Sequence, residues 1–212
     1  IMNIYNSIIH NNEATDRGGG IRMYSAVCTI YNTTIDNNQA ASNNGGGMYI
    51  KHSNVSLQDT IISHNKAFTG GGGLRTYGKT NTNDGPSNVN ITRCIIKNNQ
   101  VTTTWTNTDR GGGGLYLYGN TNTIIRETSF ISNSANNNRG HEIFTRRSNS
   151  DGTPTISIIN SYFNYPTKSN IFYNYDNEDQ GHEANWNDCS SSSSFCTQPL
   201  PNPFPTTHIA HA

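Results

Sequence analysis

The sequence has little charge and no long apolar run. Charged residues make up 13% of the 212 positions, and Lys plus Arg equal Asp plus Glu at 14 each. Nucleic-acid-binding domains usually carry a strongly basic surface, so this balance argues against a nucleic-acid partner. No stretch of about 18 apolar residues occurs, and we therefore expect no membrane span.

Cysteine is also scarce, with four in the chain. Cys189 and Cys196 bracket a serine-rich segment, and we predict that they form a disulfide in an oxidising, extracellular setting. Cys28 and Cys94 lie two repeats apart in a repeating sequence pattern. Stacked strands lie about 4.8 Å from each other, whereas a disulfide needs Cα atoms within about 7 Å. Cys28 and Cys94 are therefore predicted to be unpaired core residues.

What the chain does contain is a repeat. Residues 9–12 read Ile-His-Asn-Asn and are followed by three glycines at 18–20. The pattern returns four more times, and its last copy, at residues 130–133, is followed by a single glycine. Successive asparagines in this motif lie 26, 27, 34 and 34 residues apart. A period in this range without helical periodicity predicts a β-solenoid.

The aligned copies share interior columns spaced two residues apart, which is the period of a strand. We therefore predict an all-β fold, a single right-handed parallel β-helix of about five to six coils of three short strands. A right-handed coil is expected because crossover connections between parallel strands are nearly always right-handed. We place the β-helix in residues 1–164, an irregular C-terminal cap with the disulfide loop in 165–196, and a Pro-rich extended tail or linker in 197–212.

The asparagine of each repeat is predicted to have a structural role. We expect it to adopt the left-handed conformation of a tight turn between strands. We also expect its amide to bond the same amide in the coils above and below. The predicted ladder consists of Asn12, Asn38, Asn65, Asn99 and Asn133.

The two repeat motifs also resemble those of a known family. Residues 130–133, Phe-Ile-Ser-Asn, match an FxxN motif, and the other four copies have Ile in place of Phe. Residues 18–21, Gly-Gly-Gly-Ile, are similar to a GGA(I/L/V) motif with Gly in place of Ala. Over about residues 1–145 the pattern resembles the polymorphic outer-membrane protein repeat. The resemblance implies a parallel β-helix and a surface-displayed adhesin or extracellular repeat protein, usually without enzymatic activity.

Catalysis on a β-helix would require clustered carboxylates. A glycoside hydrolase uses two carboxyl groups about 5–9.5 Å apart, and a lyase needs carboxylates for Ca²⁺ beside a basic residue. The outward positions of the predicted second strands contain no such cluster, since they read His10, Asp36, Ser63, Lys97 and Ile131. We therefore predict no catalytic residue, no metal site and no cofactor. A carbohydrate-active β-helix enzyme, either a polysaccharide lyase or a glycoside hydrolase, is the alternative.

Aromatic and basic residues on the predicted surface are candidates for binding. Tyr5 and Tyr31 share an outward column on adjacent coils, Trp105 lies in a Thr-rich loop, and Arg110 and Arg139 precede the glycines. Four further tyrosines flank the predicted third strand: Tyr24, Tyr49, Tyr116 and Tyr118. Aromatic faces stack on sugars or on protein partners, so a glycan or another cell-surface ligand is the predicted partner. Strand-forming tyrosines on a solvated face and surface ion pairs are the alternative explanation.

We predict an extracellular structural or adhesive protein that assembles into a surface fibre. The chain begins at Ile1 without a charged-then-apolar leader, which fits either a removed signal peptide or a piece of a longer protein. The first coil has no evident cap, and uncovered strand edges invite pairing. We therefore expect a homo-oligomer or filament built end to end.

N-glycans are predicted, for a eukaryotic source, at the Asn-x-Ser/Thr sequons of Asn32, Asn54 and Asn90.

Overall fold

The computed structural model describes residues 1–80, 85–105, 110–164 and 172–175. Throughout these ranges the regular structure is β-strand, and every strand pairs in parallel with strands of the neighbouring coils. The chain is thus a right-handed parallel β-helix, and the fold prediction is confirmed. Among the described residues there is no helix of the length and apolarity needed to cross a membrane.

Four sheets, here called A to D, run along the coils. Sheet A contains β1 (Met2–Tyr5), β5 (Val27–Tyr31), β9 (Asn54–Gln58), β13 (Ser87–Thr92), β17 (Thr121–Arg126) and β21 (Thr155–Ile159). Sheet B contains β2 (Ile8–His10), β6 (Thr34–Asp36), β10 (Ile61–Ser63), β14 (Ile95–Lys97), β18 (Ser129–Ile131) and β22 (Tyr162–Asn164). Sheet C contains β3 (Glu13–Ala14), β7 (Gln39–Ala40), β11 (Lys66–Ala67), β15 (Gln100–Val101) and β19 (Ser134–Ala135). Sheet D contains β4 (Ile21–Tyr24), β8 (Met48–Lys51), β12 (Leu74–Gly78), β16 (Leu115–Gly119), β20 (Ile143–Arg146) and β23 (Phe172–Tyr175).

Sheet C is the element that the sequence analysis did not predict. Its strands are two residues long, so that Lys66 and Ala67 of β11 pair with Gln39 and Ala40 of β7. A two-residue strand is too short to show the alternation that reveals a strand in sequence. For this reason three strands per coil were expected where most coils have four.

The predicted interior columns are stacked in register. Ile35, Ile62 and Ile96 occupy consecutive coils of sheet B, and each is 0% exposed. Cys28 and Cys94 are buried free thiols, as the coil spacing predicts. Burial raises the pKa of Cys94 to about 12, so this thiol stays protonated inside the core.

The turn between sheets B and C differs from the expectation in one residue. The left-handed backbone belongs to the residue before each ladder asparagine, with φ of 57° at Asn11, 51° at Asn37 and 54° at Asn98. The expectation that the ladder asparagines themselves adopt this conformation is therefore wrong. Because the preceding residue turns the chain, the ladder side chain points into the coil, where Asn65 and Asn99 are fully buried.

The ladder asparagines are joined by amide hydrogen bonds that all run toward the C-terminal coils. Each Nδ2 donates to Oδ1 of the next asparagine at 2.9–3.0 Å, from Asn12 through Asn38, Asn65 and Asn99 to Asn133. The backbone N–H of each donor residue reaches the same Oδ1 at 2.9–3.0 Å. The ladder thus satisfies buried polar groups that would otherwise be costly.

The last glycine of each motif makes room for the ladder. A Cβ at Gly47 would lie 2.9 Å from Nδ2 of Asn65 and 2.6 Å from the carbonyl oxygen of Gly73, so a side chain there would have to displace its neighbours. The fifth coil places Glu142 in the same column, because Ile143 pairs with Leu115 and thus sets Glu142 opposite Gly114.

Glu142 closes the ladder where no further asparagine follows. Its carboxylate accepts hydrogen bonds from Nδ2 of Asn133 and, at 3.4 Å, from the backbone N–H of Asn133. The residue is 0% exposed. Burial raises the pKa of Glu142 to about 8, and the hydrogen bonds from Asn133 lower it only in part. A carboxyl group therefore takes the place of the next Oδ1.

Coil stacking continues past the boundary predicted at residue 164. Strand β23 pairs in parallel with β20, with Phe172 opposite Ile143 and Tyr175 opposite Arg146. Sheet D therefore extends into the segment that was expected to be an irregular cap. The predicted Cys189–Cys196 disulfide and the tail at 197–212 lie outside the described residues.

Candidate functional site

The outward face of sheet D carries a line of aromatic and cationic side chains. Strand register places one residue from each of five coils in a single column, here called the sheet D strip: Tyr24, Lys51, Tyr77, Tyr118 and Arg146. Tyr24 is 55% exposed, and the other four are half-buried. The strip crosses the coils, so it runs along the solenoid axis.

The rings and cations of the strip contact one another. Nζ of Lys51 lies 4.8 Å from the ring centroid of Tyr24 and 5.3 Å from that of Tyr77. The rings of Tyr77 and Tyr118 are stacked, with centroids 5.1 Å apart and an interplanar angle of 22°. The guanidinium carbon of Arg146 lies 5.3 Å from the Tyr118 ring. These cation–π and stacking contacts hold the side chains in place without a ligand.

A second, inner column beside the strip faces outward but is largely buried. Tyr49, Arg75 and Tyr116 are 5%, 8% and 0% exposed, because loop backbone packs over them. A Cβ at Gly70, for example, would lie 2.3 Å from Cδ1 of Tyr116. Glycine at position 70 therefore lets the chain before sheet D approach the inner column closely.

The loop at residues 147–154 fixes one tyrosine of the strip. The hydroxyl of Tyr77 donates to the carboxylate of Asp151 at 2.9 Å, and Ser148 Oγ donates to the same carboxylate at 3.0 Å. Burial and the Asp151 contact raise the pKa of Tyr77 well above its ordinary value. Tyr77 therefore remains a neutral donor with a fixed ring orientation, which suits a preorganised binding surface.

The first two predicted surface-binding residues lie elsewhere. Tyr5 and Tyr31 end β1 and β5 in sheet A, 50% and 40% exposed, with ring centroids 6.5 Å apart in an edge-to-face pair. They form a small aromatic patch in the first two coils. The structure does not bring them together with the sheet D strip.

The other three predicted residues meet where sheet C passes into sheet D. The guanidinium carbon of Arg110 lies 4.2 Å from the ring centroid of Trp105, which is 55% exposed. Asn137 Nδ2 donates to the carbonyl oxygen of Arg110 at 2.8 Å, and its Oδ1 accepts from the N–H of Arg139 at 3.2 Å. Asn137 thus ties the Trp105 loop to the coil of Arg139.

A polar cluster at sheet B contains the Asp, Ser and His side chains that a catalytic centre could use. Asp36 accepts hydrogen bonds from Ser63 Oγ at 2.7 Å and from Nδ1 of His64 at 2.8 Å. Burial raises the pKa of Asp36, but these two bonds and the charge of His64 outweigh it, so the net shift is downward. The serine donates to the carboxylate and not to the histidine, so the cluster is not arranged to activate a nucleophile.

The described carboxylates do not converge on a common point. Asp16 pairs with Arg17 at 3.2 Å, and Asp59 accepts a bond of 2.7 Å from Nε of Arg93. Over residues 1–80, 85–105 and 110–164, no three His, Cys, Asp or Glu side chains are grouped so as to hold a metal ion. Asp16 and Asp59 are thus each engaged by an arginine.

The three sequons face solvent. Asn32 is exposed at the corner between sheets A and B, and Asn54 and Asn90 are exposed on strands of sheet A. Their side chains take part only in exposed contacts, such as Nδ2 of Asn32 to Oδ1 of Asn6 at 2.8 Å. A glycan at each site is sterically compatible with the fold.

Sequence reasoning identified four tyrosines beside the third long strand, Tyr24, Tyr49, Tyr116 and Tyr118, but it did not align them into a column and it missed the cations. Lys51, Tyr77 and Arg146 were not singled out, nor were Arg75 and Glu142. The signal was present, because these strip residues follow the first interior residue of sheet D at a fixed offset of three. Aligning the outward positions of the third long strand across the coils shows that its tyrosines and cations share one column.

Comparison with known proteins gives a match at the level of the fold. A family model described as a right handed beta helix region matches residues 1–151. No curated protein and no solved structure matches the chain. The matched range contains all five coils that contribute side chains to the strip.

Proposed function

Since the chain belongs to the right-handed beta helix family, we propose that it is an extracellular adhesive scaffold that binds a glycan through the sheet D strip and does not catalyse a reaction. The observation that supports this proposal is the strip itself. Tyr24, Tyr77 and Tyr118 lie in one column with Lys51 between the first two and Arg146 at the end. No other described face combines ring stacking with cations over so many coils.

The chemistry of the strip suits a sugar polymer. Aromatic faces stack on the apolar faces of sugar rings, and hydroxyl and ammonium groups donate to sugar oxygens. A solenoid repeats its outward residues at each coil, about 4.8 Å apart, and thus presents a linear site to a linear ligand. Prior contacts among the rings and cations reduce the entropy lost on binding.

The alternative of a carbohydrate-active enzyme predicts cleavage of the same class of ligand. It would require carboxylates near the strip that are placed to react. The described carboxylate beside the strip, Asp151, already accepts hydrogen bonds from Tyr77 and Ser148. This engagement is why we propose binding without catalysis.

Affinity electrophoresis in gels containing soluble polysaccharides tests the proposal. The variants Tyr77→Ala and Tyr118→Ala should each weaken retardation by roughly tenfold, the equivalent of about 1.4 kcal/mol for a lost stacking contact. Tyr5→Ala is the matched control, because Tyr5 is an exposed tyrosine with an aromatic neighbour outside the strip. Equal retardation of all three variants and the parent chain would contradict the proposed site.

We further propose end-to-end assembly, as the sequence led us to expect. The observation that favours it is the exposed apolar edge of the first coil, where Met2, in the interior column of Cys28, is 42% exposed. Light scattering of the parent chain and of Met2→Lys measures the assembly state. Larger species in the parent chain that are lost in the variant support assembly, and monomers of both contradict it.

We also propose that the repeats are of the polymorphic outer-membrane protein type. Both motifs have physical roles in the coil. Phe130 of the FxxN copy is 0% exposed in the core, and Asn133 continues the buried ladder. The glycine motif lies against that ladder. A Cβ added at Gly114, for example, would lie 3.3 Å from Nδ2 of Asn133.

A further inference from the structure

Arg75 is buried beside the strip and has no polar partner among the described residues. It lies on β12 and is 8% exposed. Its guanidinium carbon is 4.8 Å from the ring centroid of Tyr116, 5.3 Å from that of Tyr118 and 5.7 Å from that of Tyr49. In the part of the chain that the structure describes, no acceptor bonds this guanidinium, and Nε is sealed from solvent. The aromatic rings fix the position of the charge but leave its hydrogen-bonding capacity unused.

The described arginines are paired to different degrees. Arg17, Arg75 and Arg110 each keep a buried nitrogen without a partner, and Arg75 is the most buried of the three, whereas Arg93 is fully paired. Arg93 donates from Nε and from an Nη nitrogen to the two carboxylate oxygens of Asp59 at 2.7 and 2.8 Å. Burying a charge without a hydrogen-bonding partner opposes folding. Arg75 is therefore poorly explained as a structural residue. It is better explained as the holder of a group that comes from outside the chain.

The surroundings of Arg75 are cationic, although the formal net charge of the whole chain is zero. Two described carboxylates, Asp16 and Asp151, belong to this face, and both are engaged, at 3.2 Å with Arg17 and at 2.9 Å with the hydroxyl of Tyr77. The cations on the two outward columns of sheet D are Arg22, Lys51, Arg75 and Arg146. Guanidinium and ammonium groups of this kind bind anionic groups.

We infer that Arg75 binds the carboxylate or sulfate groups of an acidic polysaccharide whose sugar rings stack on the sheet D strip. This inference rests on the proposed glycan-binding function and specifies its ligand. The planar guanidinium fork matches an oxyanion in a bidentate manner. Tyr118 contacts both Arg75, at 5.3 Å, and Arg146, at 5.3 Å, so an anionic group and a sugar ring meet at the same tyrosine.

Binding of alginate, dextran sulfate and neutral dextran to the full chain, by isothermal titration calorimetry at fixed ionic strength, tests the inference. Alginate carries carboxylates, and dextran sulfate differs from dextran by its sulfates. The three ligands therefore distinguish binding to a carboxylate, to a sulfate and to an uncharged sugar chain. Arg75→Gln should weaken binding of the preferred acidic polymer by at least tenfold. Arg75→Lys, which keeps the charge but not the fork, should fall between Arg75→Gln and the parent chain. Arg126→Gln, which removes an exposed cation on sheet A, should change the affinity less than twofold.

The thermal midpoint of Arg75→Gln gives an independent readout. If Arg75 serves a ligand, removing its unpaired charge should leave the midpoint unchanged or raise it while binding is lost. A lowered midpoint with retained binding would show a structural role and overturn the inference. Equal losses for Arg75→Gln and Arg126→Gln would show unspecific charge attraction and also overturn it. Binding of neutral dextran that depends on Tyr77 but not on Arg75 would overturn the inference while leaving the proposed function intact. Absence of binding to all three polymers would count against both.

Discussion

Replacing the central ladder residue, Asn65→Ala, should destabilise the protein by about 3–5 kcal/mol. Asn65 accepts from N and Nδ2 of Asn38 at 2.9 and 3.0 Å, and it donates to Ile35 O at 2.9 Å and to Asn99 Oδ1 at 3.0 Å. Each of these buried bonds contributes about 0.5–1 kcal/mol, or about 2–4 kcal/mol for the four. Asn38 is itself buried, at 1% exposed, so its unsatisfied N–H adds a further cost of about 1 kcal/mol.

The matched control for this prediction is Asn88→Ala. Asn88 also sits in a stack of amides, donating to Asn54 Oδ1 at 2.7 Å and accepting from Asn122 Nδ2 at 2.9 Å, but that stack lies on the outside of sheet A. Water replaces these bonds when the side chain is removed, so the loss should stay within about 0.5 kcal/mol. Urea unfolding followed by circular dichroism measures both variants. A ladder variant that unfolds at the same urea concentration as the control would refute the energetic role of the buried ladder.

Three further predictions concern the core, the end of the ladder and the surface. Ile62→Asp, in a fully buried column, should cost about 4 kcal/mol or more, whereas Ile61→Asp on the half-buried face of the same strand should cost far less in the same urea assay. The pKa of Glu142 is about 8 when folded against 4.5 in its ordinary state, so the folded chain holds the extra proton between these values. Stability should fall with rising pH by about 1.4 kcal/mol per unit across this window, and Glu142→Gln should remove that slope. Protein from a eukaryotic host should lose mass on glycosidase treatment, in glycopeptides that contain Asn32, Asn54 and Asn90; an unchanged mass would show that the sequons are unused.

The parts of the fold that could be predicted are those that repeat. The column of Ile35, Ile62 and Ile96 is visible in sequence because an apolar residue returns at the same place in every coil. Sheet C was missed because two-residue strands carry no alternation. The turn was misassigned by one residue because asparagine occurs both at the left-handed position, as in Asn37, and at the ladder position, as in Asn38.

The candidate site was harder to predict because it is formed by side chains from different coils. Arg75 and Tyr116 are 41 positions apart in sequence, and they become neighbours only because the strand register pairs them. Tyr118 lies on the same strand as Tyr116. Glu142 resembles an ordinary surface acid in sequence, and its burial follows from the end of the asparagine ladder. Local composition therefore reveals the scaffold, whereas the site depends on which outward residues the coils superimpose.

The central claim, that the chain binds an acidic polysaccharide on sheet D without cleaving it, can be tested in one measurement. The purified chain is incubated with an excess of alginate or dextran sulfate, and the mixture is separated by size-exclusion chromatography with light-scattering detection. The account predicts that the protein elutes with the polymer and that the polymer keeps its original length distribution. Shortening of the polymer would identify the chain as an enzyme, and separate elution of protein and polymer would contradict the binding site itself.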